Sequence, residues 1–378
     1  MRKIKLMLLL LLITFLLTGC WDLVEINQRI YPYSFGVDIA EDKTQNEDLS
    51  LTITYPNIKA LGKNPSQEEK TYVLNAKGSG LFHTARKVST EIQGPLYFKH
   101  LRVIVLGEEV AKDPKLVKEI MDGLMRDFII NKRVNISIVK GTAEELLKTL
   151  PKNVKQESLE GTLFSLLLNI QNSTYFTPEH LSEFINSMDK KGAAVVPLLH
   201  LEDGNIKAHG GGIFKAYKLV GYISGEENTA LAVLNNQVET EVLSTEYKGD
   251  RISLNTINIQ SKKKLINDEE AIKIRYTILV EGTIQEYTIN DQGSQVKNSN
   301  KLHEIENIIE KNIKGRLENI IHVLQKDLNA DALEIGEYLS KYHPKLWTTL
   351  KDDWDDSFPE VEIELDVDVK IRRRGLIH

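Results

Sequence analysis

The sequence predicts a mixed α/β fold in two parts. An N-terminal α/β domain covers residues 20–202. A C-terminal domain over 203–378 holds a mostly antiparallel sheet and one long amphipathic helix. Three patterns lead there. Strand-like and helix-like periods alternate between about 71 and 147, the signature of an α/β layer. Leu302, Ile305, Ile309, Ile313, Leu317, Ile320, Leu324 and Leu328 recur every three or four residues, which marks one helix over roughly 296–329. Val361, Ile363, Leu365, Val367, Val369 and Ile371 alternate with Glu360, Glu362, Glu364, Asp366, Asp368 and Lys370, the period of a half-buried strand.

Taken in order, Tyr33, Phe35, Val37 and Ile39 alternate with small or polar residues, and so do Leu49, Leu51, Ile53 and Tyr55, which predicts a hairpin. Thr71 to Ala76 reads as a strand, Gly78-Ser79-Gly80 as a turn, and Leu81 to Ile92 as a helix. Leu101 to Leu106 is a buried-type strand. Leu116, Ile120, Leu124 and Phe128 stand four apart and predict a helix over 115–128. Val134 to Val139 is a further strand, and Thr142 with Glu145 has capping-box spacing. An internal division of this domain is expected near 142–156.

Leu159 to Ile170 reads as an apolar helix. Thr177-Pro178 predicts the start of another, running to about Met188, with Thr as N-cap and Pro in the first turn. Ala193 to Leu201 is a strand, Asp203-Gly204-Asn205 a turn, and Ile206 to Leu219 one returning strand. Ser224 and Glu227 form a capping box before a helix to Leu234. Strands are expected at Ile252–Ile259, Ile272–Val280 and Gln285–Ile289, then the long helix and the closing acidic strand. The carboxylates of that strand lie about 7 Å apart along one face, too far for several to hold one ion. They read as a solvated face paired with Lys273 and Arg275 on a neighbouring strand.

Residues 1–22 carry the clearest functional signal. A basic head, Arg2, Lys3 and Lys5, precedes the apolar run Leu6–Leu17, and Leu17-Thr18-Gly19-Cys20 closes it. Twelve residues make about 18 Å of helix, short of the roughly 30 Å of a bilayer core, so the segment reads as a secretory signal over 1–19. Aliphatic, small, small, Cys fits a lipobox, with cleavage before Cys20 and a diacylglyceryl group on its thiol. At least two acyl chains give stable anchoring, whereas one is marginal. The competing readings are an ordinary signal with a chance cysteine and a buried N-terminal helix. Cys20 is the only cysteine in 378 residues, so no disulfide is possible.

Loss of the signal leaves 359 residues and a formal charge near −9, against −6 for the full chain. That balance argues against nucleic acid as a partner and against electrostatic adhesion of the whole molecule to anionic lipid. Catalytic patterns are scarce in the chain. The nine histidines form no H-x-x-x-H pair, no G-x-S-x-G elbow exists, and no thiol is left for catalysis. Gly78-x-Gly80 is half a dinucleotide fingerprint, but His83 stands in the third position, so a structural turn is the better reading. Gly210-Gly211-Gly212 lacks the Lys-Ser/Thr of a phosphate loop and reads as close backbone packing or a bulge. His100 and His209 read as structural. Trp347 and Trp354, with Leu346 and Leu350, read as the apolar stripe of one helix. No cofactor, metal or catalytic residue is therefore expected.

Leu17-Thr18-Gly19-Cys20-Trp21-Asp22, with Glu25-Ile26 and Phe35-Gly36-Val37-Asp38, resembles the start of the Ger(x)C family. These are lipoprotein C subunits of nutrient germinant receptors in endospore-forming bacteria. The likeness continues through His100 to Ala111, Arg126-Asp127, His209 to Phe214, Asp331 to Gly336, Tyr342 to Trp347, Trp354 and the closing strand. The resemblance implies a non-enzymatic subunit on the outer face of the spore inner membrane, with integral-membrane A and B subunits as partners. It implies Cys20 as lipid acceptor and no catalytic residues, and it does not assign the nutrient to this subunit. The alternative from the residues alone is a lipid-anchored solute-binding protein.

Overall fold

The structure, a computed structural model, describes residues 29–40, 47–57, 70–92, 94–149, 159–168, 174–238, 240–247, 250–267, 272–287 and 299–372, with residues 3, 4 and 7. Leu17, Thr18, Gly19 and Cys20 lie outside the described residues, as does the end of the strand expected at Gln285–Ile289.

The first sheet has nine strands: β1 (Ser34–Ile39), β2 (Leu49–Pro56), β3 (Thr71–Gly78), β4 (Val103–Leu106), β5 (Asn135–Val139), β6 (Glu179–His180), β7 (Ala193–Glu202), β8 (Asn205–Lys215) and β9 (Lys218–Ile223). Their order is β3-β2-β1-β4-β5-β7-β8-β9, with β6 beside β5. The centre, β1-β4-β5-β7, is parallel, and antiparallel hairpins flank it. Helices cover both faces, as a parallel centre requires. One face packs α1 (Leu81–Val88), α2 (Glu108–Lys112), α3 (Pro114–Arg126) and later α6 (Leu181–Asn186) on Phe35, Ile53, Ile104, Leu106, Ile136 and Ile138. The other packs α4 (Ala143–Lys148) and α5 (Leu159–Leu168) on Val103, Val105, Val139 and Leu199. Each residue of β4 is thus buried, on alternate faces, as its continuous apolar run predicts.

The second sheet orders β10 (Val242–Tyr247), β11 (Asp250–Asn267), β12 (Ile272–Tyr287) and β13 (Glu362–Ile371) in sequence. β10, β11 and β12 pair antiparallel, and β13 joins β12 in parallel. Helix α7 (Gly225–Leu234) and the long α8 (Ser299–His322), which ends in a π-turn over Val323–Asp327, cover its inner face. Ile305, Ile309, Ile313, Leu317, Ile320 and Leu324 form the buried stripe of α8. Helix α7 is apolar nearly all round because it lies between the two sheets: its core includes Ala193, Ile213 and Ile223 of the first sheet as well as Leu254 and Tyr276 of the second. Short helices α9 (Ile335–Tyr342), α10 (Pro344–Leu350) and α11 (Trp354–Ser357) close the C-terminal half.

Several elements differ from expectation. Helix α3 stops at Arg126, and Phe128 stands 94% exposed instead of extending the stripe. Asp127 turns extended there, and its carboxylate accepts the Ile129 and Ile130 N–H groups. No helix starts at Thr177-Pro178. Glu179 and His180 are drawn into β6 against Ile136 and Asn135, and α6 begins only at Leu181. The strand expected over 206–219 is two strands, joined by Ala216 and Tyr217 at φ 48° and 67°. In the second sheet the expected segments are longer and differently cut, with β11 running through the Lys262-Lys263-Lys264 run and β10 added at the edge.

The glycine run performs the packing role expected of it. Pro197 pairs with Gly211 and Leu199 with Ala208, so His209 and Gly210 bulge opposite Leu198. Gly210 has φ 77°, and a Cβ there would strike the Ile223 carbonyl. The Gly78-Ser79-Gly80 turn leads into α1, where the Thr84 hydroxyl donates to the Gly80 carbonyl at 2.7 Å.

At the C-terminal end of the parallel strands, Asp38 is 5% exposed and receives the Ala143 and Glu144 N–H groups at 2.8 and 2.9 Å. It joins β1 to the N-terminus of α4. Burial pushes its carboxyl up, and the two donors pull it back. Gly107 leaves room for it, since a Cβ there would overlap the carboxylate. Asp38→Ala is expected to cost about 1–3 kcal/mol, read from the urea midpoint, and an unchanged midpoint would show that this cap carries no stability.

Candidate functional site

The turn after α8 carries a carboxylate that periodicity alone does not reveal. Asp331 is 6% exposed, with its acid group sealed from water. One oxygen accepts the Ile335 N–H at 3.0 Å, and the other accepts the Gly336 N–H at 2.7 Å and the Trp354 Nε1–H at 3.1 Å. Burial pushes Asp331 up to about 6, against the pull of these donors and of Lys263. Gly336 has to be small: a Cβ would lie 2.9 Å from Trp347 and 3.0 Å from Trp354. The two indoles meet edge to face at 5.2 Å. They stand on separate helices, α10 and α11, and not on the single stripe expected, because a 3-10 turn at Lys351–Asp353 redirects the chain. From β11, Lys263 donates to the Leu333 carbonyl at 2.6 Å, and burial pulls its pKa down.

This turn forms one wall of a cleft of about 290 Å³ between the two halves, which Glu179, Lys191, Val195, Asn235, Gln237 and Glu334 help to line. Glu334 is held at φ 57° and receives Lys191 Nζ at 2.7 Å, while Glu337 lies 3.2 Å from the same cation. An ion pair between β7's approach and α9's first turn therefore crosses the cleft. Two acceptors in the wall, Glu179 Oε1 and Asn235 Oδ1, are sealed from bulk solvent and meet no donor among the described residues. Burial first, then the charge of Glu183, pushes Glu179 up to about 8. A neutral acid there can donate as well as accept, so the cleft suits a water or a small molecule with its own donors.

The other residues singled out in the sequence are dispersed. His100 packs on Tyr31 at 5.0 Å, and His209 on Tyr175 at 5.2 Å. Lys273 bridges Glu362 and Glu364 at 3.0 and 3.2 Å, and Arg275 holds Glu364 at 2.9 Å, so the acidic face of β13 is paired as its alternation predicts. Among the described residues, no group of three or more His, Cys, Asp or Glu is placed to hold a metal ion. Glu179, Lys191 and Lys263 carry no signal in the sequence, whereas Asp38 and Asp331 fall in the segments Phe35-Gly36-Val37-Asp38 and Asp331 to Gly336 that carry the family resemblance, which assigns neither carboxylate a role.

Two outcomes are expected. Asp331→Asn turns an amide N–H₂ or a lone carbonyl toward three donors and should cost about 2–3 kcal/mol in urea unfolding; a wild-type midpoint would mean that the turn re-forms without the carboxylate. Glu179 is protonated in the fold at pH values where the unfolded chain has lost the proton. Its contribution is complete below about pH 4 and is lost as pH rises through about 8. The thermal midpoint of Glu179→Gln should therefore fall less than that of wild type from about pH 5 to about pH 9, and coincident profiles would contradict the assignment.

Comparison with known proteins covers almost the whole chain. The family described as spore germination protein N-terminal domain matches residues 22–201, and that described as spore germination B3/GerAC like, C-terminal, matches residues 209–375. Spore germination protein B3 of Bacillus subtilis is 24% identical, with 96% of this chain and 95% of that protein covered. Spore germination protein KC is 25% identical over 99% of this chain and 97% of its own, and spore germination protein A3 is 26% identical over 96% and 95%, both from the same organism. The crystal structure of the GerBC protein superposes with a TM-score of 0.59 at 20% identity, covering 93% of this chain and all of that one, which shows a shared mixed α/β fold. The chain belongs to the GerAC-like family of spore germination proteins.

Proposed function

We propose that this protein is a lipid-anchored, non-enzymatic C subunit of a spore nutrient germinant receptor. Acyl chains on Cys20 would hold it on the outer face of the spore inner membrane after removal of residues 1–19, and two integral-membrane subunits, A and B, would be its partners. The observation that carries this reading is coverage: both family descriptions concern germination, and together they run from residue 22 to 375. The relatives named above are spore germination proteins aligned along nearly their full lengths. The lipobox ends two residues before the first matched segment begins. Among the described residues, no helix is long and apolar enough to cross a membrane, so the anchor and the partners are the means of attachment in this reading.

The division at about residue 202 is supported by the two matched segments, although β8 and β9 beyond it pair into the first sheet. The two halves would then act as one body, tied by the α7 core and the Lys191–Glu334 pair.

Deleting the gene from a strain without paralogues should abolish germination on at least one nutrient while leaving the response to a cationic surfactant intact. Normal germination on every nutrient tried would overturn the proposal.

A further inference from the structure

One edge of the nine-stranded sheet gathers aromatic and basic side chains just where the chain arrives from the anchor. The first continuous stretch of described residues begins at Arg29, and Ile30 bridges Leu96 before β1 starts. Cys20 and Arg29 are nine residues apart, so a fully extended link spans at most about 32 Å. Strands β1, β4 and β5 are parallel, and their N-terminal ends share this edge with the end of β2 and the start of β3.

The register sets a row of tyrosines there. Tyr55 pairs with Tyr72, their rings 5.2 Å apart, and Tyr33 lies one residue before the Ser34–Thr54 pair on the adjacent strand. Tyr31 packs on Tyr97, and the Arg29 guanidinium lies 4.7 Å over the same ring. Lys99 and His100 are exposed beside them.

Further along, the loop into β5 presents Phe128 to solvent. The loop is firmly built. Asp127 accepts two of its N–H groups, Lys132 donates to the Leu124 carbonyl at 2.8 Å and to the Asp127 carbonyl, and the Val134 N–H reaches the Asn131 carbonyl at 3.1 Å. A 94% exposed phenylalanine on a pinned loop is presented outward by the fold and not merely left out of the core. Arg133 is exposed two residues before β5. Of the acids in these segments, Asp127 accepts those N–H groups, Glu183 lies 2.8 Å from His180, Asp122 pairs with Arg126 at 2.9 Å, and Glu91 is exposed.

We propose that this edge lies on the membrane. Phe128 enters the interfacial layer, the tyrosines stand at headgroup level, and Arg29, Lys99 and Arg133 meet the phosphates of anionic lipid. The net charge near −9 of the mature chain turns the remaining surface away from the same lipid, so repulsion and attraction fix one orientation. This rests on the reading of Cys20 as the acylated residue.

The test uses full-length lipidated protein in vesicles of phosphatidylcholine with or without phosphatidylglycerol. Cys20 is the only native cysteine and is blocked by its lipid in this reading, so Phe128→Cys or Glu145→Cys adds the single thiol for an environment-sensitive fluorophore. Glu145 is exposed on α4, which follows the opposite end of β5. Vesicle flotation reports anchoring, and quenching by headgroup-labelled lipid reports contact. The expected result is flotation of both variants, quenching at 128 and not at 145, and stronger quenching with phosphatidylglycerol. Flotation with equal, water-like signals at both positions would overturn the edge assignment while leaving the anchor standing. Equal quenching at 128 in neutral and anionic vesicles would overturn the role of the basic residues. Burial of position 128 only when integral-membrane proteins are added would make the edge a protein contact and overturn the proposal. Failure of both variants to float would overturn the anchor on which it rests.

Discussion

Removing a carboxylate from water costs several kcal/mol unless donors replace the lost hydration. The C-terminal half is arranged around meeting that requirement at Asp331. Three N–H groups converge on it, two from the first turn of α9 and one from the indole of Trp354. Together they tie the start of α9 and the start of α11 to the turn after α8. Gly336 lets the indoles approach, Lys263 brings β11 to the same turn, and Glu334, one residue before α9, carries the link to Lys191. The second sheet, the three short C-terminal helices and the first half of the molecule therefore meet within a few residues of one buried charge.

A similar logic operates at Asp38 in the first half. There two N–H groups at the start of α4 take the place of water, and a glycine after β4 provides the space. Asp38 joins elements distant in sequence, and Asp331 joins the turn after α8 to the short helices α9 and α11 that follow it. Helix α7 supplies the apolar counterpart, since its residues contribute to a core shared by both sheets.

Much of this architecture was legible where one periodicity ran unbroken. The stripe of α8 and the alternation of β13 leave one solution each, and both stand as expected. Prediction failed where a local signal met a stronger tertiary demand. Thr177-Pro178 is a sound helix start, but β5 had an unpaired edge that Glu179 and His180 could complete. Phe128 falls on the stripe of α3, yet Asp127 ends the helix before it. The strand expected at Ile252–Ile259 runs on through Lys262-Lys263-Lys264, where Lys263 turns inward to carbonyls that the sequence could not place. Strand β10 lies at a sheet edge with Val242 half exposed, and such a strand has little alternation to show. Asp38 is hidden for a related reason: its partners are backbone N–H groups 105 and 106 residues along the chain, whereas those of Asp331 are the start of the next helix and the Trp354 indole.

In the proposed function, an acylated Cys20 would place this fold at the spore membrane for germination. Cys20→Ala in sporulating cells, read by membrane fractionation of spores and by nutrient response together, tests it most directly. The account predicts that the protein leaves the inner-membrane fraction and that a nutrient response is lost. Release from the membrane with full germination, or retention at the membrane with an unprocessed N-terminus in wild type, would contradict it.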